Sequence, residues 1–242
     1  NVTSLTYDEK NDMLFYTSDN SANRDLLSYN LTNGQTTLLQ KNFRTGDLVV
    51  NDKDQSLWGV RHLNGYNTIV RLPKFNSETP NQYYTAWEQK YTLPYGYDIF
   101  DLDISPDGKK LSAAVADYFG NQYLNIYERN LTDGNWTNVH QRWMLQDNQN
   151  RNNTLVMDSG YALFDSNNSD QGIMHRDSQG SWSHHSIDVP DSQTDVDFLV
   201  DGDRWHISTT NAEAGDNNLV WTTGIFSDAT IRTSTIFYSV IT

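Results

Sequence analysis

The chain contains no cysteine. That removes disulfides, cysteine-ligated zinc, iron–sulfur clusters and cysteine nucleophiles together. It excludes a small disulfide scaffold and leaves packing alone to hold the fold. Positive charge is also scarce: 17 Lys and Arg stand against 31 Asp and Glu, a formal net charge of -14. Such acidity argues against a nucleic-acid partner held by a basic face. No apolar run approaches the length of a membrane span, so no membrane insertion of this segment is expected. No leader peptide is legible, and the chain starts at Asn1 rather than Met. We therefore expect a mature or excised piece of a longer protein. Its 242 residues suffice for one large all-β domain. Hydrophobic residues make up only 36%, but aromatics reach 12%, so a core built on Trp, Tyr and Phe is expected.

What is present is a repeat. Five segments each give a short apolar strand, a turn rich in Asp and Asn, a second strand, a polar loop and a third strand. Most add a turn and a fourth strand. Leu14, Leu57, Leu111, Tyr161 and Trp205 open the second strands, at intervals of 43, 54, 50 and 44 residues. The apolar centres of the third strands follow 12 to 14 residues later, at Leu26, Ile69, Leu124, Ile173 and Leu219. Insertions such as "KFNSETPNQ" and "TLPYGYDIF" lengthen the wide intervals. Four short strands in units of about 40–45 residues are the signature of a β-propeller blade. The expected fold is all-β: a propeller of five blades, each of four antiparallel strands, as a single domain over 1–242. The blades are expected at about 1–45, 46–98, 99–150, 151–192 and 193–242. No stretch reads as a helix, and "NQYYTAWEQK" is expected to be a strand. The tail "STIFYSVIT" suits an extra closing strand, part of the fifth blade, or the lead into a following domain.

The stretch "DLDISPDGKKLSAAVAD" reads at first as a calcium loop. The repeat argues otherwise. Asp107 falls where Asp8, Asp52, Asp158 and Asp201 fall, in the turn between first and second strands. Short Asp and Asn side chains bond their own backbone there, and glycine supplies positive φ. An EF-hand loop counted from Asp103 would also need glutamate at Ala114. A turn is the expected reading. The small residues Gly59, Ala113 and Ala114 are expected where blades crowd toward the channel. The tryptophans are expected in the core, with an exposed sugar-stacking platform as the alternative.

"DLDISPDGKKLSAAV" followed by "YLNIYERNLTDGNW" resembles the repeat of TolB-type propellers. This WD40-like repeat is also seen in the propellers of prolyl oligopeptidase and dipeptidyl peptidase relatives. The likeness is sharp at Ser105, Pro106, Asp107, Gly108 and Leu111, and looser in the other units. It implies a periplasmic or extracellular setting, usually with further domains attached. It implies no common activity, and it transfers no catalytic residue.

Signatures of catalysis are missing: no H-E-x-x-H, no G-x-S-x-G, no phosphate-binding G-x-x-x-x-G-K. We expect no catalytic residue, no metal site and no cofactor. His184 and His185 are adjacent, so on a strand they point to opposite faces. His206, beside Trp205, reads as a packed or channel-facing residue. Asp47, Asp101, Asp103, Asp195 and Asp197 lie on inner strands, where propeller glycosidases place their carboxylates. Asp101 matches Asp195 and Asp103 matches Asp197, which favours a recurring structural hydrogen bond over a unique catalytic centre.

The expected binding face is the mouth lined by loops between second and third strands and between blades. Its candidates are Arg24, Arg61, His62, Tyr66, Tyr95, Tyr97, Tyr118 and Phe119, because exposed aromatics with Arg form interface hot spots. The expected partner is a protein or peptide. A glycan, bound or hydrolysed, is the alternative.

Overall fold

The computed structural model describes residues 2–19, 24–41, 43, 45–61, 67–74, 87–144, 153–158, 160–165, 171–187, 193–201, 204–211, 218–225 and 234–239, with backbone only at 19, 153, 165, 171, 185–187 and from 193 onward. All its regular structure is β. The first sheet holds β1 (Val2–Asp8), β2 (Met13–Asp19), β3 (Arg24–Asn30) and β4 (Thr36–Gln40). The second holds β5 (Thr45–Val50), β6 (Leu57–Arg61), β7 (Thr68–Leu72) and β8 (Glu88–Thr92). The third holds β9 (Asp98–Ile104), β10 (Lys110–Ala116), β11 (Gln122–Arg129) and β12 (Trp136–Met144). The fourth holds β13 (Asn153–Val156), β14 (Tyr161–Asp165), β15 (Gln171–Arg176) and β16 (Trp182–Ile187). The fifth holds β17 (Gln193–Asp201), β18 (Arg204–Asn211), β19 (Asn218–Ile225) and β20 (Ser234–Ser239).

Every sheet is a four-stranded antiparallel meander in chain order. Of the three roles open to the tail, it takes the second: β20 pairs with β19 as the outer strand of the fifth sheet. In "NQYYTAWEQK" the last three residues open β8 and Trp87 precedes it, while its first six residues lie outside those described.

The sheets stack face to face. The first strand of each packs beside the first strand of the next, from β1 through β5, β9 and β13 to β17. The hydrophobic clusters are therefore interfaces between sheets. On β6, Leu57 packs toward the first sheet, with Met13, Phe15 and Leu26. Its neighbour Trp58 packs toward the third, with Leu111, Val115 and Trp136. Successive side chains on a strand point to opposite faces, and here both faces are covered. That is why "LWGV" is continuously apolar rather than alternating. Gly59 sits in this run for a local reason. A Cβ there would lie 3.2 Å from the Asp47 carbonyl, so the crowding comes from β5 of its own sheet rather than from the channel.

The Asp- and Asn-rich turns do what the repeat suggests, and more. In the third sheet, Asp107 Oδ1 accepts the Lys109 N–H at 3.0 Å and the Ser105 hydroxyl at 2.7 Å, with Gly108 at φ 71. In the second sheet the capping role falls to Asn51 rather than Asp52: its Oδ1 accepts the Lys53 and Asp54 N–H groups at 3.0 and 3.1 Å. The turns also join one sheet to the next. Gln55 Nε2 donates to Asp8 (3.2 Å), Asn51 Nδ2 to the Ser105 carbonyl (3.1 Å), and the Asp107 N–H to Asp158 (2.7 Å). Farther out, Glu128 accepts both Arg176 Nε (2.6 Å) and the Trp182 indole N–H (3.2 Å), bridging the third and fourth sheets.

Candidate functional site

Antiparallel meanders give the stack two ends. One carries the turns after first and third strands. The other carries the loops after second strands and the crossings between sheets. At this second end, two short loops hold aromatic side chains out to solvent.

The crossing from β8 to β9 is anchored by Leu93, which is buried and exchanges hydrogen bonds with Asn67 at 2.9 and 3.1 Å. A tight turn follows: the Tyr97 N–H donates to the Pro94 carbonyl at 3.2 Å, with Gly96 at φ 86. Left-handed geometry at the third position of such a turn selects glycine. It leaves Tyr95 at the tip, 81% exposed. The loop from β10 to β11 closes on Asp117, whose carboxylate accepts the Phe119 and Asn121 N–H groups, both at 2.9 Å. Tyr118 and Phe119 ride on this turn, 73% and 82% exposed, edge to face at 5.6 Å. The loops touch, since a Cβ on Gly96 would meet Tyr118 at 3.0 Å. Gly96→Ala is therefore expected to displace Tyr118 and to destabilise the protein by about 1–2 kcal/mol, from positive φ and the clash together. Thermal unfolding checks the energy, and the ring resonances of Tyr118 check the displacement.

The candidate residues thus divide. Tyr95, Tyr118 and Phe119 form one exposed patch. Tyr97 belongs to the same loop but is half-buried and packs against the core of the second and third sheets. Arg61, at the end of β6, lays its guanidinium 5.8 Å from the centre of Phe43, which in turn stacks on Trp87 at 4.3 Å. Arg24 stands at the start of β3 in the first sheet, half-buried. His62 and Tyr66 lie outside the described residues. Trp58, Trp136 and Trp182 are buried, as a packing role requires, whereas Trp143 is 56% exposed on β12.

The channel carboxyls form the second feature. Asp47 Oδ2 on β5 accepts the Leu102 N–H of β9 at 2.9 Å. Asp101 and Asp103 on β9 accept the Thr154 and Val156 N–H groups of β13, at 2.6 and 2.7 Å. Each is a hydrogen bond from one sheet's inner strand to the next. The side chains of Asp195 and Asp197 lie outside the described residues. Crowding has an electrostatic consequence. Burial pushes Asp47 up to about 6 and Asp103 to about 7, against an ordinary 3.8. Burial, followed by the negative charge of Asp47, raises Asp101 well above that value. The charge of Asp47 therefore bears directly on Asp101. The paired aspartates of the quoted stretch thus bond the neighbouring sheet, and its third aspartate caps a turn. Among the described residues, no group of three or more His, Asp or Glu is placed to hold a metal ion.

No family model matches this chain, and no curated protein matches it. Solved structures do, at low sequence identity. An oligogalacturonate lyase in complex with manganese superposes with a TM-score of 0.63 at 12% identity, over 98% of this chain and 66% of its own. The Swd1 β-propeller domain of Myceliophteria thermophila gives 0.59 at 12%, over 96% and 72%. This chain has a β-propeller fold. TolB from Acinetobacter baumannii gives 0.54 at 12%, over 97% of this propeller and 54% of TolB. The resemblance of the repeat to TolB-type propellers therefore holds at the level of fold. The five sheets are blades, and the propeller spans about two thirds of the length of the lyase.

Proposed function

We propose that this propeller is a non-catalytic module that binds a protein or peptide, as part of a larger envelope or secreted protein. One observation carries the reading: Tyr95, Tyr118 and Phe119 stand 73–82% exposed in a single patch, on loops whose backbones are fixed by hydrogen bonds. Large apolar rings held out by rigid loops are what interface hot spots are made of. The chain's charge of -14 adds that the partner is basic around its apolar anchor. The repeat's likeness to TolB-type propellers supports the envelope or secreted setting.

The test is selection of peptides from a random library, followed by anisotropy titration of the winners. Selected peptides should combine aromatic or aliphatic anchors with Lys or Arg. A Tyr95→Ala, Tyr118→Ala, Phe119→Ala triple variant should bind them about 100-fold more weakly, as expected when hot-spot rings are lost. Peptides that bind wild type and triple variant equally would sink the reading.

A second reading is a glycan-binding or glycan-cleaving propeller. It is favoured by the three channel carboxyls, all raised by burial, with Asp47 at about 6 and Asp103 at about 7, in the range that suits a general acid. Glycan arrays and release of reducing sugar separate the two, because the peptide-binding reading expects neither signal.

A further inference from the structure

At the end of the propeller away from the aromatic patch, a cavity of about 340 Å³ opens between the second and third blades. Its walls include Lys53, Arg71, Lys90 and Arg129, and its lining also holds Trp58 and Trp136. Four cations around one cavity are unexpected in so acidic a chain.

The charges do not cancel. Arg71 pairs with Asp54 at 2.8 Å and with Glu88 at 3.1 Å. Lys90 shares that Glu88 at 2.8 Å. These two cations and two carboxylates balance. Asp107 also borders the cavity, but its carboxylate is turned to Ser105 and Lys109. Lys53 and Arg129 remain, with no ion pair among the described residues. Lys53 belongs to the turn between β5 and β6, one blade away from Arg129 at the end of β11. The Arg129 guanidinium lies along the following turn, Nη2 3.4 Å from where a Cβ on Gly134 would be. Two uncompensated cations therefore face one cavity from both sides. The buried indoles of Trp58 and Trp136 meet edge to face at 5.6 Å and supply an apolar floor.

We propose that this inter-blade cavity binds a small organic dianion, a phosphate monoester or a dicarboxylate carrying an apolar ring. The volume lies at the lower end of small-molecule sites, which suits a ligand of one ring and one or two charged groups. A guanidinium and an ammonium from opposite walls match a doubly charged head. The indole floor takes the ring.

Calorimetric titration with phenyl phosphate and with phthalate tests it, phenol serving as the neutral control. Wild type should bind at least one dianion saturably, with a Kd below about 1 mM, and phenol not at all. Lys53→Gln and Arg129→Gln should each weaken binding about tenfold, the loss of one charge-assisted hydrogen bond. Lys41→Gln, which removes an exposed cation elsewhere, should bind as wild type does. Melting temperatures of all three should stay near wild type, so that lost binding cannot be misread as lost folding. No saturable heat with either dianion would overturn the proposal. So would phenol binding as tightly as phenyl phosphate, or a double variant Lys53→Gln, Arg129→Gln that binds like wild type.

Discussion

Replacing Asp103 with asparagine should make the propeller more stable at pH 8 and leave it nearly unchanged at pH 3. Asp103 bonds the Val156 N–H at 2.7 Å, and an amide oxygen can accept the same bond. What the substitution removes is ionisation. Burial raises this carboxyl from 3.8 to about 7. Between those values the folded chain binds a proton that the unfolded chain has lost, so stability falls as pH rises through the interval. At pH 3 the group is protonated in both the folded and the unfolded chain, and asparagine replaces a neutral acid. At pH 8 asparagine replaces a buried charge. A displacement of that size corresponds to about 4 kcal/mol for a dry site. The side chain is only half-buried, so water in the channel reduces the gain to about 2 kcal/mol. For a chain of this length that is about 4–8 °C in melting temperature. Asp133→Asn, in an exposed turn, is the control for net charge and should show no such pH-dependent gain. Asp47 and Asp101 shift in the same direction, so wild type itself should lose stability from about pH 4 to about pH 7. Equal destabilisation of Asp103→Asn at both pH values would show that this carboxyl is ionised in the folded protein.

Phe164→Ala should destabilise the propeller by about 4 kcal/mol, or roughly 10 °C. Phe164 lies on β14 with no exposed surface. Its cluster joins Leu124, Ile126 and Met144 of the third blade to Val156, Ala162 and Met174 of the fourth. The Arg142 guanidinium stands 4.3 Å over the ring from the third blade, so truncation removes a cation–π contact along with the apolar contacts. Stacked blades are stabilised by their interfaces, so the loss is shared by two repeats rather than confined to one. Val139→Ala, on the outer strand of the third blade and 41% exposed, should stay within about 0.5 kcal/mol of wild type. Thermal or urea unfolding reads both. A Phe164→Ala midpoint as close to wild type as that of Val139→Ala would mean that these two blades do not depend on their shared face.

The two ends of the propeller differed in how legible they were. At the aromatic end, Tyr95, Tyr118 and Phe119 sit beside glycines in polar loops, and a large ring in a short loop has little to pack against. Exposure could thus be expected from local sequence. Tyr97 follows the same pattern two residues later, yet turns inward, because the turn at Gly96 aims it at the core of the neighbouring blades. At the other end, Lys53 and Arg129 look like ordinary turn and strand-end residues. They lie 76 positions apart, and no spacing rule brings them together. The channel carboxyls fall between these cases. The equivalence of Asp101 with Asp195 and of Asp103 with Asp197 pointed to a structural hydrogen bond, but the raised pKa of these carboxyls comes first from burial, which only the stacked inner strands impose.

Sequence alone determined the repeating unit: apolar strands at regular intervals, turns chosen by Asp, Asn and Gly, and no segment with helical periodicity. Those are local properties of backbone geometry and side-chain alternation, and they repeat because each blade solves the same problem. Tertiary structure decided which faces meet, which aspartates lose water together and which cations find no partner. Those depend on distances between residues remote in the chain, and burial and Coulomb energies respond to such distances rather than to order along the backbone.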